Sequence, residues 1–173
     1  HSRRQAKLAM QDARFLSVRD KASRRLLMQL GIPTERICVA TDAVFLLPKT
    51  RKQHRQGTLV LLRGDGKTKI ESIQKLCKNT ALPQPIRMIA MDQVDTNFVQ
   101  KSSLEQVSIT SLADLRRAVA TSKLVISARL HGNLLALLEE TPFVALGAAP
   151  KITAFCADRG FGGHVLPETA TPR

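Results

Sequence analysis

The sequence predicts an α/β fold, a Rossmann-like, doubly wound and mainly parallel sheet. Two observations carry this. Short apolar runs of strand length alternate with helix-length amphipathic runs along nearly the whole 173-residue chain. Several strand-length runs are continuously apolar rather than alternating, as required when helices cover both faces of a sheet.

The elements follow in order. Residues 3–13 carry Ala, Leu and Met at helical spacing, and 15–18 (FLSV) is a short apolar strand. Asp20 opens a helix in which Leu26, Leu27 and Leu30 share one face, with Gly31 as its stop. RICVA (36–40) is the next strand, followed by Asp42 and VFLLP. The basic stretch 49–57 (KTRKQHRQG) is expected to be a loop between two halves of the fold. TLVLLRG (58–64) is a strand, GDGK a turn, Thr68 to Lys78 a helix, and IRMIAM (86–91) a strand. VSIT (107–110) is a weak strand, and Ser111 with Asp114 marks a helix start reaching about Ser122. KLVISA (123–128) is a strand, Leu130 to Glu140 an apolar helix, PFVALG (142–147) a strand, and Lys151 to Arg159 a helix closed by Gly160. Residues 165–173 are expected to fray. The reading is one domain over 1–173; because the chain opens on His1, an N-terminal partner domain is expected to be missing.

Composition narrows the function. Hydrophobic residues make up 43%, which suits a globular domain with its own core. Lys and Arg number 27 against 14 Asp and Glu, a formal charge of +13, which favours anionic partners. Trp and Tyr are absent and Phe numbers only six, which leaves few stacking platforms of the kind single-strand nucleic-acid binders use and argues against a specific nucleic-acid partner. Cys38, Cys77 and Cys156 are far apart with no CxxC spacing, so neither a disulfide framework nor a zinc site is expected, and a reducing, cytoplasmic setting fits. No apolar run approaches the roughly 18 residues of a membrane span.

The segment from Leu124 to Lys151 holds the densest candidate chemistry. Arg129, Leu130 and His131 occupy a strand-to-helix turn, where free backbone N–H groups and the helix dipole favour an anion. A guanidinium and an imidazole there suit phosphate or carboxylate. GAAP then delivers Lys151 to the start of the next helix, where a cation opposes the dipole unless an anion is bound. Spacing alone leaves these residues as solvated turn side chains or as one anion site; Ser127 and Asn133 are as well read as capping or packing residues. SVRD repeats the pattern: Ser17 and Arg19 end a strand and Asp20 caps the next helix. Arg63 ends a strand before GDGK, but the full phosphate-loop spacing is absent. Asp42 is expected to cap, while Asp92 and Asp95 are read as loop residues.

These stretches together resemble the polysaccharide pyruvyl transferase family. The resemblance rests on SVRD with a Ser three residues on, the D-x-V-F-x-L-P segment from Asp42, and RLHG followed by the Pro150–Lys151 pair, over residues 15–161. It implies one half of a GT-B-like architecture. It also implies transfer of an enolpyruvyl group from phosphoenolpyruvate to a sugar of a cell-surface polysaccharide or glycan, forming a pyruvate ketal. His131 is then the candidate general acid, suited by an imidazole pKa near neutrality. Arg19, Arg129, Leu130 and Lys151, with Ser17 and Arg63, form the candidate donor site. No metal or cofactor is implied beyond phosphoenolpyruvate as donor substrate. The acceptor is expected to be a sugar or lipid-linked saccharide, with peripheral membrane association. Residues 47–111 match the family pattern poorly. Two further readings stay open: a GT-B-type glycosyltransferase domain binding a nucleotide-sugar, and a non-catalytic basic nucleic-acid-binding domain.

Overall fold

A computed structural model of the chain describes residues 2–51, 53–61, 81–90, 96, 104–147 and 149–166. The first helix, α1 (Ser2–Gln11), leads to β1 (Leu16–Val18), α2 (Lys21–Gln29) and β2 (Ile37–Val39). β1 and β2 pair in parallel as a separate two-stranded sheet, with Leu16 against Ile37 and Val18 against Val39. Leu27, Ile32 and Ile37 form the small core beneath it. Phe15, Leu8, Leu26, Met28 and Val39 around it stay exposed, Phe15 at 61%.

After the 3-10 turn Ala43–Leu46, the chain crosses to a six-stranded parallel sheet in the order β5-β4-β3-β6-β7-β8. Its strands are β3 (Thr58–Leu61), β4 (Ile86–Ile89), β5 (Glu105–Gln106), β6 (Leu124–Ser127), β7 (Phe143–Leu146) and β8 (Val165–Leu166). The helices α3 (Leu112–Ala120), α4 (Leu130–Leu138) and α5 (Pro150–Asp158) connect the later strands. Register explains the two cores. Leu59, Val125 and Phe143 align in one row and bury against Leu115, Val119, Leu134 and Ile152 of the helices. Their chain neighbours Val60 and Ile126 align on the opposite face with Met88. Continuous apolar strands are therefore buried on both sides, which is why they lack alternation.

Local chemistry sets the ends of the helices. Asp20 caps α2, accepting from the Ser23 N–H at 2.6 Å, and Gly31 follows with φ +82°. Ser111 caps α3 by accepting from the Asp114 N–H at 3.1 Å. The hydroxyls of Ser111 and Thr110 in turn hold the Asp114 carboxyl below its ordinary value.

Several expectations need correction. The parallel strands fall in two sheets, not one. Residues 107–110 are not a strand; β5 ends at Gln106, and the Val107 N–H makes a last bond to the Met88 carbonyl at 2.8 Å before the chain runs on to the α3 cap. Val165 and Leu166 do not fray but add an edge strand to β7. The 49–57 stretch is more than a solvated loop. Arg55 donates to the carbonyls of Ala120, Glu139 and Glu140, so one guanidinium ties the ends of α3 and α4. Thr50 donates to the buried Glu139 carboxylate through its N–H and hydroxyl, and Arg116 pairs with the same carboxylate. Arg63, the GDGK turn, the 68–78 helix, Cys77, Asp92 and Asp95 lie outside the described residues. Cys38 and Cys156 are free thiols. Among the described residues, no helix is long and apolar enough to cross a membrane.

Candidate functional site

The strand-to-helix turn after β6 is built on a close backbone approach. Ser127 is fully buried. Its hydroxyl accepts from the Arg129 N–H at 3.1 Å and donates to the Arg129 carbonyl at 2.9 Å, folding the turn tightly. Gly132 stands over it: a Cβ there would lie 2.3 Å from Ser127 Oγ. The glycine of RLHG is thus needed for space. Asn133 is buried in the same turn and donates to the Ser127 carbonyl at 3.4 Å. Ser127 and Asn133 pack, as one of their sequence readings held.

Arg129 is the N-cap residue of α4, half-buried, and its side chain makes no cap bond. Leu130 is buried and His131 is exposed on the first turn. At the end of β7 the chain turns at Gly147, φ +91°, and Pro150 and Lys151 open α5 with Lys151 exposed. Proline fits there because its missing N–H would have no partner in a first helical turn.

At the end of β1, Arg19 reaches across to Asp42, 3.3 Å away, with Asp20 at 4.0 Å. Asp42 also caps the following 3-10 turn by accepting from the Val44 N–H at 3.1 Å. It thus fills the capping role expected of it and a second role that spacing could not show.

These loops meet in one cleft. Arg19, Asp20 and Asp42 from the small sheet face Leu130 and Leu134 of α4 and Lys151, Phe155 and Arg159 of α5. The Lys21 N–H donates to Asp158 at 3.2 Å and helps hold the two parts together. Arg159 lies over the rings of Phe45 and Phe155, 5.4 and 5.9 Å from their centroids, within cation–π range. Three cations and two carboxylates therefore share the cleft. Its central space is about 10 Å³, enough for roughly one water. A larger anion has to sit at the mouth or displace the Arg19–Asp42 pair.

The structure brings Arg19, Leu130 and Lys151 together. Arg129 and His131 flank Leu130 in the chain but do not line this cleft. Ser17 is exposed on β1 outside it. Sequence reading missed Arg159 and the inward role of Asp42. Asp42 sits at a strand end, which was a usable signal; Arg159 closes a helix, where a cation is ordinarily explained by the dipole alone. Among the described residues, no group of three or more His, Cys, Asp or Glu is placed to hold a metal.

Comparison with solved structures shows the fold. A UDP-GlcNAc 2-epimerase from Methanocaldococcus jannaschii, in complex with UDP-GlcNAc and UDP, superposes with a TM-score of 0.57 at 11% identity. The match covers 76% of this chain and 45% of that one. The corresponding enzyme of Neisseria meningitidis gives a TM-score of 0.54 at 12% identity, over 88% of this chain and 47% of that one. The chain spans about half the length of these GT-B-fold proteins, and its parallel, helix-flanked sheet is GT-B-like. No curated protein matches the chain in sequence. The family model described as polysaccharide pyruvyl transferase matches residues 1–149, which takes in the SVRD segment, the Asp42 segment and the RLHG turn. The chain belongs to the polysaccharide pyruvyl transferase family.

Proposed function

We propose that this chain supplies the donor-binding part of a transferase that moves the enolpyruvyl group of phosphoenolpyruvate onto a saccharide and forms a pyruvate ketal. The observation that carries the reading is the meeting of Arg19 and Lys151, from separate strand-end loops, against the Leu130 turn. Phosphoenolpyruvate carries a phosphate and a carboxylate, so a site for it needs cations from more than one direction.

In this reading Arg19 and Lys151 grip the donor at the cleft mouth, with Arg19 exchanging Asp42 for the incoming anion. Arg129 and exposed His131 flank Leu130, which lines the cleft, on the first turn of α4. His131 donates a proton to the methylene carbon of the enol, which makes the adjacent carbon electrophilic. One saccharide hydroxyl adds to that carbon. A second hydroxyl then replaces the phosphate, whose leaving oxygen is stabilised by the cations. Of the two hydroxyl protons released, one restores His131 and the other leaves on phosphate. No metal or cofactor enters this scheme.

The apolar side chains left exposed around β1 and β2, Phe15, Leu8 and Val39 among them, fit a further layer from a longer polypeptide. That layer is the N-terminal partner domain of the proposal, and the acceptor saccharide binds between it and the six-stranded sheet. A lipid-linked acceptor would bring the +13 chain to an anionic membrane surface.

The test is thermal stability of the full-length protein with phosphoenolpyruvate, UDP-GlcNAc or an oligonucleotide. Stabilisation by phosphoenolpyruvate, lost in Lys151→Ala, is the expected result. Stabilisation by UDP-GlcNAc alone would favour a nucleotide-sugar donor, and a salt-sensitive response to the oligonucleotide alone would favour nucleic acid.

A further inference from the structure

Arg87 stands between an apolar row and Glu105 on the edge strand β5. Register aligns it with Leu59 on β3, which continues through Val125 to Phe143, all buried against the helices. Nε and Nη2 of Arg87 are both buried and have no hydrogen-bond partner. Buried guanidinium donors left open are costly, and native structures rarely leave them so without a bound water or ion. The two open nitrogens lie on the same edge of the guanidinium plane. That edge presents two parallel N–H groups, the arrangement that takes a carboxylate or phosphate in a bidentate manner.

Arg87 also lines a groove. The groove has a volume of about 260 Å³ and runs between α3 and the connection that follows β5. Ser108 lies on one wall, with Arg117 and Thr121 of α3 on the other. Asp114 also lines it, but its Oδ2 already accepts from Thr110 and from the Ser111 hydroxyl. Its Oδ1 has only Arg117, 3.8 Å away. Glu105, aligned with Arg87 on β5, is exposed. Neither carboxylate bonds the open edge of Arg87.

We infer that Arg87, with Arg117 and the Ser108 hydroxyl, forms a second oxyanion site on the α3 side of the sheet, for a single carboxylate or phosphate group; the Thr121 hydroxyl on the same wall is committed to the Arg117 and Ala118 carbonyls. The site shares no lining residue with the Arg19–Lys151 cleft. The carboxylate of an acidic sugar and free phosphate present the same chemistry to that edge.

The experiment follows the Arg87 Nε–H resonance of the full-length, arginine-labelled protein, assigned by its loss in Arg87→Lys. Inorganic phosphate, glucuronate and neutral glucose are added separately. A saturable shift and slowed exchange of that resonance with phosphate or glucuronate, and none with glucose, is expected. The stronger of the two anions names the source. In Arg87→Lys, which keeps the charge but not the forked edge, the affinity for that anion, read from anion-induced shifts of backbone amides lining the groove, should fall about tenfold. No shift with either anion overturns the site. So does a resonance already protected without anion and released by Asp114→Asn or Glu105→Gln, since the edge would then have an internal partner.

Discussion

Gly132 and Ser127 touch so closely that the RLHG turn has room for no side chain between them: a Cβ on Gly132 would stand 2.3 Å from Ser127 Oγ and 3.1 Å from its Cβ. The hydroxyl cannot swing aside freely, because it bridges the N–H and carbonyl of Arg129. Gly132→Ala should destabilise the protein by about 1–3 kcal/mol through this overlap. Ser127→Ala in the same protein should recover part of the loss, since it removes the nearer of the two clashing atoms. Equilibrium denaturation of both variants checks this.

Glu139 makes a pH prediction with a definite sign. Burial pushes its carboxyl up, but the hydroxyl and N–H of Thr50 and the Arg116 guanidinium outweigh that and hold it below its ordinary value of 4.5. A depressed folded-state value means the stabilisation is fully present above the unfolded value and is lost as pH falls through the folded one. Glu139→Gln should cost about 1.5–3 kcal/mol at neutral pH, the range for bonds to a charged group. The gap to wild type should close progressively below about pH 4.5. Denaturation midpoints at several pH values measure it.

Arg55 is expected to act through geometry. It reaches three carbonyls at the ends of α3 and α4, at 2.8 to 3.3 Å. Lysine keeps the charge but not the fork. Arg55→Lys should therefore recover only a minority of the roughly 2 kcal/mol lost in Arg55→Ala. Hydrogen exchange at the Gln56 N–H, which donates to the Thr121 carbonyl, should quicken in both.

Asp42 is the natural competitor of a donor anion for Arg19. Asp42→Asn keeps an acceptor for the Val44 N–H and removes the negative charge 3.3 Å from the guanidinium. If the donor displaces that pair, phosphoenolpyruvate should bind this variant several-fold more tightly. Weaker binding would mean that Asp42 holds Arg19 in its working position.

The fold was largely legible because the central strands are short apolar runs buried on both faces, and the starts of α2 and α3 carry their caps, Asp20 and Ser111, in the sequence. The split into two sheets was not legible, since pairing between strands depends on register and not on composition. The strap formed by Thr50, Arg55, Glu139 and Arg116 was hidden for a similar reason: its partners lie 65 to 89 residues apart on one side, and a basic run reads as solvated. Within the site, strand-end position pointed to Arg19 and Lys151. Their meeting with Asp42 and Arg159 required the third dimension.

The central claim is that Arg19 and Lys151 share one donor anion. Isothermal titration of phosphoenolpyruvate into full-length wild type, Arg19→Ala, Lys151→Ala and the double variant measures it directly. Each single change should weaken binding about tenfold or more, and the double should lose less than the sum, because one ligand joins both groups. Unaltered affinity in both single variants would contradict the account.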